Sequence, residues 1–152
     1  MLGFSRAKWV GIERPEAHIY LTHGILEDLI YGMEIDVSIR APEYVITSIE
    51  GRMKRVTTPE CPKALPVLQR AVGLCLTDPH LISIINRSVG REGCRHLANL
   101  LLECCDAVIR CALYEKWDDG SRGDEQSREK YLKERLEEMP FLKGSCRVAS
   151  SL

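Results

Sequence analysis

Hydrophobic and polar positions alternate most clearly between Ile30 and Arg40, where Met33, Ile35, Val37 and Ile39 are interleaved with Glu34, Asp36, Ser38 and Arg40. A period of two sends successive side chains to opposite faces of a sheet, so this segment predicts a half-buried strand. Ala41–Pro42–Glu43 follows as a turn, because proline cannot donate to a strand ladder. A second alternation sets Val45, Thr47, Ile49, Gly51 and Met53 on one face. Upstream, His18 to Leu26 is β-branched and aromatic enough to predict a first strand, though less regularly. Together these segments predict a three-stranded antiparallel meander from His18 to about Arg55.

After Thr57 the period lengthens towards that of a helix. Pro59 and Pro62 suit a first helical turn, where the missing N–H is not needed, and the element is expected to run to Val72 and end at Gly73. Pro66 inside it implies a late start or a kink. Asp78–Pro79 reads as a cap followed by proline, opening a second helix whose stripe of Leu81, Ile82, Ile84, Ile85 and Val89 stops at Gly90. A third and longest helix is expected from Cys94 to Trp117, burying Leu97, Leu100, Leu101, Cys104, Val108, Ile109, Ala112 and Leu113. Asp118 to Asp124 is polar and reads as a loop. Glu125 to Met139 forms a charged helix with Tyr131, Leu132 and Leu136 to dock it, ended by Pro140. The expected architecture is therefore α+β: a three-stranded meander, three packed helices and a peripheral C-terminal helix. Residues 1–117 make one domain, with 118–152 attached as a charged helix and tail.

Composition narrows the function classes. With 152 residues and 45% hydrophobic content, the chain is long enough to bury a substantial core. A formal net charge of −1 argues against binding nucleic acid by phosphate neutralisation, and Arg52, Lys54 and Arg55 read as a solvated strand end. No apolar run approaches the ~20 residues of a membrane span. Met1 to Val10 carries Arg6 and Lys8 without a long apolar core, unlike a signal peptide. Seven cysteines, an odd number, argue against a disulfide framework and for reduced thiols in the cytoplasm.

The chemistry-bearing candidates are thiols and an imidazole. Cys94, in Gly93–Cys94–Arg95–His96, stands at the expected N-terminus of the long helix, where free amides favour a thiolate. His96 is within reach of Cys94 only if Cys94 lies just outside the helix, since inside it their side chains would diverge by about 200°. Cys61 occupies a similar place before Pro62. Cys75, Cys104, Cys105 and Cys111 lie among apolar residues and read as core thiols. Asp28 is either an exposed turn acid or an oxygen ligand. His18 and His23 read as edge residues, and Tyr31 as a packed residue or a hydrogen-bond donor. Hydrolase, kinase and zinc-protease motifs are absent.

Three stretches taken together carry a resemblance: Gly24–Ile25–Leu26–Glu27–Asp28 leading to Met33, Cys61–Pro62 followed by Leu68 and Val72–Gly73–Leu74, and Gly93–Cys94–Arg95–His96–Leu97. The chain resembles a bacterial family known as domain of unknown function 2889, and its tail, Phe141 to Cys146, resembles that family's C-terminal end. The family often has an aspartate and a histidine where this chain has Leu29 and Tyr31, so the resemblance implies an altered role there. More distantly, the arrangement is similar to iron–sulfur scaffold proteins of the NifU type and sulfur acceptors of the SufE type, which hold a cluster, zinc or a persulfide on thiols. What this implies is a metal- or sulfur-handling domain using Cys61, Cys94 and His96, with Asp28 and Cys146 as additional ligands for zinc or an iron–sulfur cluster. A binding module for a protein or small ligand, with structural cysteines, is the alternative from another class. A thiol enzyme with Cys94 as nucleophile and His96 as its base is a third.

Overall fold

The computed structural model describes residues 3–115 and 124–143. They divide into two compact units, residues 1–109 and 110–152. The first unit is built on four antiparallel strands in the order β1-β2-β3-β4: β1 Arg6–Glu16, β2 Ile19–Asp28, β3 Gly32–Arg40 and β4 Val45–Arg55. The fold is α+β, but the sheet has four strands, not three. The additional strand is β1, paired along β2 with Arg6 opposite Asp28 and Val10 opposite Gly24. Alternation is invisible in β1 because it is an edge strand: only Val10, Gly11 and Ile12 are half-buried, and the rest is exposed.

β3 follows its expected pattern, with Met33, Ile35, Val37 and Ile39 buried against the helices. In β4 the expected face holds only in part. A register shift between Ser38 and Ile39 pairs Ser38 with Ser48 and Ile39 with Ile46, so Thr47 is the extra residue of a bulge. Ile46 and Ile49 are consequently both buried, and Thr47 is exposed. The opposite sheet face carries charge: Arg52 bonds Asp36 at 2.7 Å and Glu34 at 3.3 Å, and His23 meets Asp36 at 2.5 Å. Such a two-sided sheet, one face packed and one solvated, is what alternation encodes.

Cys61–Ala71 is a 3-10 helix, as suits a segment with Pro62 at its start and Pro66 inside, neither of which can donate an amide. Past its end, Gly73 at φ +89° turns the chain back along β4. The Gly73 amide donates to the Ile46 carbonyl at 2.8 Å, and the Ile46 amide to the Leu74 carbonyl at 2.9 Å. This covers the start of the β4 edge, and β1 is the other edge strand of the sheet. α1 Leu81–Ile85 runs on as a π-turn, Asn86–Arg91, beyond the expected stop at Gly90. There the Ser88 hydroxyl donates to the Ile84 carbonyl at 2.8 Å and competes for the helical acceptor. α2 Arg95–Tyr114 buries Leu97, Leu100, Leu101, Cys104, Cys105 and Val108. It crosses β2 at Gly24, where a Cβ would stand 2.7 Å from Cys104 Sγ.

In the second unit, α3 Glu125–Glu138 begins with Asp124 accepting from the Ser127 amide at 2.7 Å. In this unit Ala112, Leu136, Met139 and Leu142 are buried. Arg135 adds what the apolar pattern omitted, donating to the Ala112 carbonyl at 2.6 Å, and Tyr131 donates to the Leu113 carbonyl at 2.6 Å. Among the described residues no helix is long and apolar enough to cross a membrane.

Candidate functional site

The β2–β3 turn organises one end of the sheet. Asp28, the last residue of β2, has a fully buried side chain, and its Oδ1 accepts the Ile30 and Tyr31 amides, each at 2.6 Å. Its Oδ2 accepts Arg6 Nε at 2.6 Å. Burial alone would raise the pKa, but the two amides and the guanidinium outweigh it and hold the carboxyl at about 2. Asp28 thus uses both oxygens inside the protein. Arg55 reinforces the turn from the end of β4, donating to Glu27 and to the Asp28 carbonyl.

Arg6 extends this network to α2. Its Nη2 donates to His96 Nε2 at 3.5 Å. The His96 ring also lies against Tyr31, with centroids 4.3 Å apart and planes at 43°. Burial lowers the His96 pKa, the Arg6 charge lowers it further, and the Asp28 charge only partly opposes them. Cys94 is the residue just outside α2: its carbonyl accepts the Ala98 amide at 3.0 Å and its own amide donates to Val89. That placement lets Cys94 Sγ stand 3.9 Å from His96 Nδ1. Gly93 permits the approach of the 3-10 helix, since a Cβ there would be 2.9 Å from Val67 Cβ.

On the other side of Tyr31, its hydroxyl lies 3.5 Å from Thr57 Oγ1. Thr57 Oγ1 is in turn 3.5 Å from Cys61 Sγ, and Thr58 Oγ1 is 3.6 Å from it. The Thr57 hydroxyl, then the Thr58 hydroxyl and amide, lower the thiol pKa to about 7. A continuous line of contacts therefore runs from Cys61 through Thr57, Tyr31 and His96 to Cys94, with Arg6 and Asp28 behind the histidine.

Among the described residues, no three His, Cys, Asp or Glu side chains come together as a metal site. The expected ligands Cys61, Cys94, His96 and Asp28 lie along one network without converging on a point. Asp28 is committed to its turn, and the outward nitrogen of His96 faces a cation. Cys146 lies outside the described residues. Cys104 and Cys105 are core thiols, pushed by burial up to about 11 and about 12, whereas Cys75 and Cys111 are half-buried. Arg6, Thr57 and Thr58 are the participants the sequence reading missed. Arg6 had a signal only through strand pairing, because β1 sets it directly opposite Asp28.

A family model described as Protein of unknown function (DUF2889) matches residues 16–110, more than half of the chain. The chain belongs to the DUF2889 family. The matched stretch of this DUF2889 protein contains Asp28, Tyr31, Cys61, Cys94 and His96, while Arg6 and the tail lie outside it. No curated protein and no solved structure shows significant similarity to the chain.

Proposed function

We propose that this DUF2889 protein is a sulfur-handling thiol domain in which Cys61 is the attacking group. The observation that carries this reading is the Cys61 environment: a half-buried thiol held by two hydroxyls, with its pKa lowered to about 7. An attacking thiol works best when its pKa lies near the ambient pH, so that it is both ionised and nucleophilic. In the proposed step the Cys61 thiolate attacks one sulfur of a donor disulfide or persulfide. A new S–S bond to Cys61 forms, the donor S–S bond breaks, and the departing sulfur leaves as a thiolate with the bonding electron pair.

The test is the pH dependence of thiol reaction with an aromatic disulfide reagent on the folded protein. One thiol is expected to react with a half-maximal rate near pH 7, to be lost in Cys61→Ser, and to shift to higher pH in Thr57→Val. An unchanged fast phase in Cys61→Ser would end this reading. The binding-module reading is favoured by one observation, the exposed tip of the same turn, where Leu29 is 74% and Ile30 44% accessible. Retention of a partner by a Cys61→Ser, Cys94→Ser protein, and its loss in Leu29→Asp, would decide for that alternative.

A further inference from the structure

The Cys94 end of the network has chemistry of its own, set by which nitrogen of His96 carries the proton. A guanidinium has donors and no acceptor. A hydrogen bond from Arg6 Nη2 to His96 Nε2, 3.5 Å away, is made only when Nε2 presents its lone pair. In a neutral ring the proton must then sit on Nδ1, the nitrogen that faces Cys94 Sγ at 3.9 Å, within the longer reach of a hydrogen bond to sulfur. The opposite tautomer would set an N–H against the guanidinium and leave Nδ1 as a base towards the thiol. Arg6 is not free to turn away, because its Nε is bound to the buried carboxylate of Asp28 at 2.6 Å. Tyr31 fixes the plane of the ring from the side.

We propose that Asp28 and Arg6 act as positioning residues that hold His96 as the neutral Nδ1–H tautomer, with that N–H directed at Cys94 Sγ. His96 is then a hydrogen-bond donor to Cys94 and not its general base. Two features support the sulfur side of the pair. Cys94 immediately precedes α2, its carbonyl accepting from the Ala98 amide, so the pair escapes the divergence that helical phase imposes on side chains two residues apart. The Cys94 thiol is also half-buried, which strengthens an N–H···S bond relative to one in water. The inference goes beyond the sulfur-handling reading and does not rest on it.

The experiment is two-dimensional long-range 1H–15N NMR of the full chain, at a pH of about 8 where imidazole is neutral. Protonated and bare ring nitrogens give well-separated 15N shifts. His96 is assigned by the loss of its signals in His96→Asn. The expected result is a proton on Nδ1 of His96, moving towards Nε2 in Arg6→Met, which keeps the aliphatic stem and removes the donors. A wild-type spectrum with the proton on Nε2 overturns the proposal, as does an unchanged tautomer in folded Arg6→Met. The disulfide-reagent assay on Cys61 and the His96 spectra separate the two ideas. Cys61 without special reactivity would end the attacking-thiol reading and leave the His96 result standing, and a proton on Nε2 would remove only the tautomer inference.

Discussion

Replacing Gly24 by alanine would test how closely α2 must sit on the sheet. The added Cβ would stand 2.7 Å from Cys104 Sγ, 3.2 Å from Ile35 Cγ1 and 3.2 Å from Leu100 Cγ. All three neighbours are fully buried, so none can swing into solvent. Overpacking of this kind costs about 1–3 kcal/mol, while alanine recovers only about 0.4–1 kcal/mol through the unfolded chain. The clash wins, with a net loss of about 1–2 kcal/mol, or a fall in Tm of roughly 2–8 °C at about 2–4 °C per kcal/mol. Cys104→Ala alone would leave a small void worth about 1 kcal/mol. Because the alanine Cβ would occupy that void, the double variant should be more stable than the sum of the single losses predicts, by about 1 kcal/mol. Urea unfolding at constant m-value measures the cycle. Additivity of the two losses to within about 0.5 kcal/mol would refute the argument that Cys104 is the limiting contact.

Two further outcomes follow from groups already described. Asp28 has a folded pKa of about 2, depressed below the unfolded value of about 3.9, so its contribution to stability is complete above pH 4 and fades as the pH falls through 2. Asp28→Asn, with Arg6 and the turn amides still facing the site, should flatten the acid limb of a pH-stability curve, and an unaltered limb would place the effect elsewhere. Gly73 has open space around its Cα but a φ of +89°, so Gly73→Ala should lose about 1–2 kcal/mol through backbone strain alone, read by thermal unfolding.

Legibility in the sequence followed burial. β3 was readable because one face packs and the other is solvated, giving Met33 to Ile39 a clean period of two. β1 was unreadable because neither face is deeply buried, and its residues had registered only as a charged N-terminus. In β4 the bulge at Thr47 moves one residue out of step, and a pattern rule cannot see a bulge before the partner strand is known. Pro66 suggested a late start or a kink in the helix after Cys61, whereas the structure accommodates it within a 3-10 helix that begins at Cys61. The start of the long helix near Cys94 was legible, but whether Cys94 lay inside or just outside it was left open until the structure began α2 at Arg95. The nature of the site was not, because it depends on long-range pairs. Thr57 reaches Tyr31 across 26 residues, and Arg6 reaches His96 across 90. No local spacing encodes contacts of that kind, and the shared metal site that the sequence suggested has no cluster of three such ligands among the described residues.

The edge position of β1 has a kinetic meaning for the thiol at the far side of the network. Strands at a sheet edge detach by local opening at lower free energy than the core strands they lie on. Each such excursion would carry Arg6 away from both Asp28 and His96, releasing the imidazole to exchange its proton between nitrogens. On that account the protonation pattern facing Cys94 would be a population average over docked and undocked β1, and its persistence would follow the opening of that edge strand.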